Sequence, residues 1–145
     1  MIEFLCILYM LIYFYWGKMR MNILLVDDDK FTLQETENAV SEAVPTAQCF
    51  SFQNSQEALA FAETTPIDIA FWDIDMSFMR LSLDGVFSAQ ALTNLCPDCK
   101  IIYCTDSDKY VKDVPRIKQS NYLLKPITPE KVQAALARLK CPLTV

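Results

Sequence analysis

From Asn22 onward the chain alternates between short uninterrupted apolar runs and longer segments whose apolar residues recur at helical spacing. "ILLV" at 23–26 stops abruptly at Asp27, Asp28 and Asp29. "AQCFSF" at 47–52, "IDIAFW" at 67–72, "KIIYCT" at 100–105 and "NYLLK" at 121–125 repeat the pattern. The first run, apolar throughout, predicts a strand buried on both faces, and the others read as the second to fifth strands. Between them, Phe31 to Val44 predicts a helix, with Leu33, Ala39, Val40 and Ala43 on its apolar side. Asn54 with Glu57 forms a capping box for a second helix through about Glu63. Asp84 and Gly85 open a third that reaches Leu95, and a weaker one covers 110–119 with Pro115 as a local fault. Thr128, Pro129 and Glu130 start the last helix, which ends near Lys140. Strands and helices alternating five times imply an α/β domain: a doubly wound parallel sheet with helices on both faces.

Residues 1–20 stand apart from this pattern. The apolar run from Phe4 to Trp16 is shorter than the roughly 20 residues a spanning helix needs, although Tyr13, Tyr15 and Trp16 followed by Lys18 and Arg20 resemble a membrane-interface flank. Positive charge after the apolar part, rather than before it, argues against a secretory signal. The segment reads as an apolar N-terminal extension: residues ahead of a real start at Met21, a short anchor, or a helix that docks on a partner. Residues 21–145 then form a single domain.

Composition narrows the chemistry. The 145 residues carry a net charge of -5 and no basic excess, so no direct contact with nucleic acid is expected. There is no histidine, which excludes histidine triads and histidine metal sites; any phosphohistidine must come from a partner. Gly17 and Gly85 are the sole glycines, so neither a Rossmann nor a Walker loop exists. The six cysteines are scattered in apolar stretches, as in reduced, cytoplasmic proteins. Cys96 and Cys99 follow a helix and precede a strand without two further zinc ligands, so they read as a turn.

A parallel sheet brings the carboxyl ends of its strands to one crevice. Here those ends carry Asp27 and Asp28, Asp73, Thr105 and Lys125. Singly, each reads as a cap or a solvated loop residue; together they form a coherent phosphoryl-transfer site. Clustered carboxylates repel one another without a cation, and Mg2+ accepts one or two carboxylates while keeping room for phosphate oxygens. Asp73 is the natural nucleophile because a carboxylate needs no base to deprotonate it, with Lys125 and the Thr105 hydroxyl holding the other phosphoryl oxygens. The Asp-x-Asp of Asp73 and Asp75 suits either a phosphoryl acceptor or a phosphatase nucleophile.

From Met21 to about Lys140 the chain resembles the receiver domain of bacterial response regulators, on "ILLVDDD", "IDIAFWDIDM", the "DG" at Asp84 and Gly85, "KIIYCT" and "YLLKPI". The resemblance implies a CheY-like, flavodoxin-like fold with sheet order 2-1-3-4-5. It implies that Asp73 accepts a phosphoryl group from a histidine kinase or phosphotransfer protein. Asp28 and Asp73 would bind Mg2+ with Asp27 assisting, and the backbone carbonyl of Asp75 would be a further ligand. Thr105 and Lys125 would contact the phosphate, Thr105 and Tyr122 would form the switch, and the bond before Pro126 would be cis. Such a domain is no enzyme in the usual sense, assisting at most its own phosphorylation and dephosphorylation. "YLLKPI" with "PDCKIIYCTDSDKY" looks most like the receivers that precede LytTR-type DNA-binding domains, yet no output domain follows. The expected protein is therefore a stand-alone receiver that signals to a downstream protein partner, or a truncated relative of a transcription factor, with homodimerisation through the 110–119 helix and the fifth strand as a further expectation.

Two departures from the family pattern stand out. Ser77 replaces the usual proline, in a loop "SFMRLSL" about four residues longer, and Asp106 adds an acid beside Thr105. The alternatives are a receiver-like interaction module that works without phosphorylation, and a haloacid-dehalogenase-like phosphatase using Asp73 and Asp75. Against the latter, the acid pair here precedes the nucleophile, and only Glu130 follows Lys125.

Overall fold

The computed structural model describes residues 1–18, 20–75, 84–107 and 122–139, the side chains of 13–18 and 84–87 excepted. The expected loop containing Ser77 and the helix expected over 110–119, with the dimer surface assigned to it, lie outside the described residues. An N-terminal helix α1 (Ile2–Lys18) precedes β1 (Asn22–Val26), α2 (Lys30–Ala43), β2 (Gln48–Phe52), α3 (Ser55–Thr64) and β3 (Ile69–Asp73). α4 (Asp84–Leu95), β4 (Lys100–Thr105), β5 (Tyr122–Leu124) and α5 (Pro129–Arg138) complete the order. All five strands are parallel, in the order β2-β1-β3-β4-β5.

Both faces of the sheet are covered, which is why the strands lack polar alternation. Leu24, Val26, Ala70, Trp72, Ile101 and Tyr103 point one way, into a core completed by Ala58, Ala62, Ala89 and Leu92 of α3 and α4. Their neighbours Ile23, Leu25, Ile69, Phe71, Ile102 and Leu123 point the other way, onto Leu33, Val40, Val132 and Leu136 of α2 and α5. The helices begin where short polar side chains replace missing backbone partners. Asp29 accepts from the amides of Phe31 and Thr32, Asn54 from Gln56 and Glu57, and Thr128 from Lys131. The Asp29 cap was not anticipated: three consecutive acids look alike in sequence, and only the third turns back onto the helix.

Two further features concern the cysteine pair and the N-terminal segment. Cys96 and Cys99 form the turn between α4 and β4, the Cys99 amide donating to the Cys96 carbonyl at 3.0 Å. Burial pushes the Cys99 thiol up to about 12, the opposite of a redox-active cysteine. The described side chains of α1, residues 2–12, are exposed, and among the described residues no helix is long and apolar enough to cross a membrane.

Candidate functional site

Period-two alternation decides which strand-end residues meet. Asp27 continues the series Ile23, Leu25; Asp73 continues Ile69, Phe71; Lys125 follows Leu123 by two. The ladder runs one residue past the strand ends, with the Asp27 amide bonded to Phe52 and the Lys125 amide to Thr105. All three side chains therefore emerge on the α2/α5 side. There the Lys125 ammonium lies 2.9 Å from Asp27 Oδ2 and 3.0 Å from Asp73 Oδ1. Lys131 of α5 donates to the carbonyls of Leu124 and Pro126, both at 2.9 Å, and so holds the backbone on either side of Lys125. The bond between Lys125 and Pro126 is cis, as the resemblance implied.

Asp73 is 2 % exposed and Asp27 4 %, while Asp28 is exposed; one carboxylate oxygen from each lies within 4.8 Å of the others. Burial raises the Asp73 carboxyl to about 6, helped by the charge of Asp27 and opposed by Lys125. Asp27 is raised as well, again by burial, with Lys125 pulling it back. Burial works to lower the Lys125 pKa, but Asp73 and then Asp27 outweigh it, so the ammonium stays protonated. One ammonium thus faces three carboxylates. An all-oxygen donor set with excess negative charge fits a hard divalent cation, which would offset both the burial that chiefly raises Asp73 and the repulsion from Asp27 that adds to it.

Thr105, 1 % exposed, belongs to the opposite series, Ile101 and Tyr103, and reaches the site from the α3/α4 side. Its hydroxyl lies 3.2 Å from Asp75 Oδ2 and 3.0 Å from the Ser107 carbonyl. Asp75 also receives the Asp106 amide at 3.4 Å, while its own amide donates to Asp73 Oδ1 at 3.1 Å. The acid in direct contact with Thr105 is therefore Asp75, while the Asp106 side chain is exposed. The side chain of Asp75 was the residue that sequence reasoning undervalued. A signal existed: its separation from Asp73 by two positions, at the end of a buried strand. Tyr122 starts β5, half-buried against the Trp72 core, two residues before Leu124, the register partner of Thr105. Trp72 is fully buried beside Asp73 and donates through Nε1 to the Ser88 hydroxyl at 3.1 Å.

Residues 23–137 match the response regulator receiver domain family. The sensory transduction protein LytR of Streptococcus agalactiae is 28% identical over 122 residues, which cover 83% of this chain and 48% of that protein. The positive alginate biosynthesis regulatory protein of Pseudomonas aeruginosa is 27% identical over 128 residues, covering 84% and 48%. The chain spans about half the length of the curated relatives it matches. Among solved structures, a two component transcriptional regulator AraC from Clostridium phytofermentans is similar, with a TM-score of 0.64 and 28% identity over 81% of this chain and 90% of that one. Because the family match runs unbroken from the first strand to the last helix, the chain belongs to the response regulator receiver domains, CheY-like in fold and similar to the receivers of LytTR-type regulators.

Proposed function

We propose that this receiver takes a phosphoryl group onto Asp73 from the phosphohistidine of a partner histidine kinase or phosphotransfer protein, and passes the signal on through phosphorylation-dependent protein contacts. The supporting observation is the buried Asp73 carboxylate, 3.0 Å from Lys125 and clustered with Asp27 and Asp28. In the transfer, one Asp73 oxygen forms a bond to phosphorus as the partner's phosphorus–nitrogen bond breaks, and the departing imidazole recovers a proton from water. Asp27, Asp28, Asp73 and the backbone carbonyl of Asp75 would hold Mg2+, which when bound offsets charge on the transferring group. Lys125 supplies a fixed ammonium for one phosphoryl oxygen, and the Thr105 hydroxyl a hydrogen bond for another. Thr105 and Tyr122 would then shift together, biasing a two-state surface around β4 and β5. The receiver unit is residues 21–145, in the cytoplasm where kinases of this type phosphorylate their partners, and α1 lies outside it.

The test is intact-mass spectrometry after incubation with acetyl phosphate, with and without Mg2+. The expected result is one phosphoryl group, present only with Mg2+ and absent from Asp73→Ala. No Mg2+-dependent modification would favour an interaction module that works without phosphorylation. Sustained phosphate release from small phosphate esters would favour a phosphatase.

A further inference from the structure

We infer that the Asp75 side chain is a latch on Thr105, occupying the threonine hydroxyl in the unmodified receiver so that a phosphoryl group on Asp73 must displace it. This rests on Asp73 being the phosphoryl acceptor. Asp75 ties the two halves of the site together: its amide donates to Asp73 Oδ1 at 3.1 Å, and its Oδ2 accepts from the Thr105 hydroxyl at 3.2 Å and the Asp106 amide at 3.4 Å. The hydroxyl has a single proton. Its acceptors are Asp75 Oδ2 and the Ser107 carbonyl at 3.0 Å, while its oxygen accepts from the Ser107 amide at 3.2 Å. A phosphoryl oxygen can receive that proton only when these partners give it up.

Charge makes the exchange abrupt. Phosphorylation brings about two negative charges to a carboxylate already hydrogen-bonded to the Asp75 backbone. The Lys125 ammonium is engaged with Asp27 and Asp73. The same event therefore offers Thr105 a stronger acceptor and repels the group that holds it. Asp75 is a positioning residue in this scheme: it acts through Thr105, stabilises the unmodified arrangement and opposes the modified one.

The test titrates the full chain with beryllium fluoride in saturating Mg2+, read by tryptophan fluorescence because Trp72 adjoins Asp73. Asp75→Ala is expected to tighten the apparent Kd roughly tenfold, within the usual range of coupling between sites. Asp75→Asn, which keeps an acceptor oxygen without the charge, should tighten it less. In a Thr105→Val background, the effect of Asp75→Ala should shrink to about twofold. An equal tightening with and without the threonine hydroxyl would reduce Asp75 to a bulk charge and overturn the latch, as would no tightening in either variant while the parent binds. If the parent itself fails to bind beryllium fluoride with Mg2+, the acceptor reading of Asp73 falls, and the latch with it. Urea midpoints of all four variants confirm that each is folded.

Discussion

Replacing Asp73 with asparagine should make the metal-free protein more stable. The native carboxyl is raised from 3.8 to about 6, chiefly by burial and secondly by Asp27. Between these values the folded state holds a proton that the unfolded chain has already released, so stability falls as pH rises through that window. Above pH 6 the whole penalty is in force. At about 1.4 kcal/mol for each pH unit, the interval amounts to about 3 kcal/mol. An asparagine oxygen can still accept from Lys125 and from the Asp75 amide, so Asp73→Asn removes the penalty without orphaning either donor. In EDTA at pH 7.5, urea unfolding followed by circular dichroism should show a gain of about 3 kcal/mol, or roughly 10 °C in Tm for a domain of this size. The gain should shrink to well under 1 kcal/mol near pH 4, close to the unfolded value of 3.8, because below that value both states of the parent are protonated. Mg2+ should narrow it from the other side, because the cation stabilises the parent more than the variant. A loss of stability at pH 7.5 in EDTA, or a gain of equal size at pH 4 and 7.5, would refute the reasoning.

Other residues give sharper local tests. Asp28 is exposed but shares the acid cluster; Asp28→Asn should leave stability within about 0.5 kcal/mol while weakening Mg2+ binding about tenfold, and an unchanged calorimetric Kd would remove it from the donor set. Asp29→Ala deletes the cap that accepts from Phe31 and Thr32 and should cost about 1 kcal/mol, seen as a shifted urea midpoint with an unchanged slope. Buried Cys99 and Cys104, both pushed up to about 12, should resist iodoacetamide in the native state while exposed Cys6 labels; equal site-resolved labelling rates would contradict their burial.

Much of this molecule was legible because the rules that shape it are short-ranged. "KIIYCT" predicts β4 to the residue, since five consecutive apolar or β-favouring positions after Lys100 leave a buried strand little freedom. Asp84 and Leu95 bound α4 as expected, and Thr128 caps α5. Asp27, Asp73, Thr105 and Lys125 were recognisable together because a parallel sheet delivers every strand's carboxyl end to one edge, whatever the side chains do next. The alternation of strand residues even contained the facing of the site, with Asp27, Asp73 and Lys125 in step with the α2/α5 core.

Partnership was not contained in that pattern. The sequence marks Asp75 as an acid two places after Asp73, but only packing brings its carboxylate to Thr105, 30 positions away, across the β3/β4 register. Likewise, nothing in "ITPEKV" shows that Lys131 will fold back to the carbonyls of Leu124 and Pro126, because that bond depends on the angle at which α5 leaves β5. Periodicity and capping act over a few residues, and one strand or helix contains all they need. Hydrogen bonds between loops, and the desolvation that raises Asp73, exist only once distant segments have docked, so they belong to the tertiary structure alone.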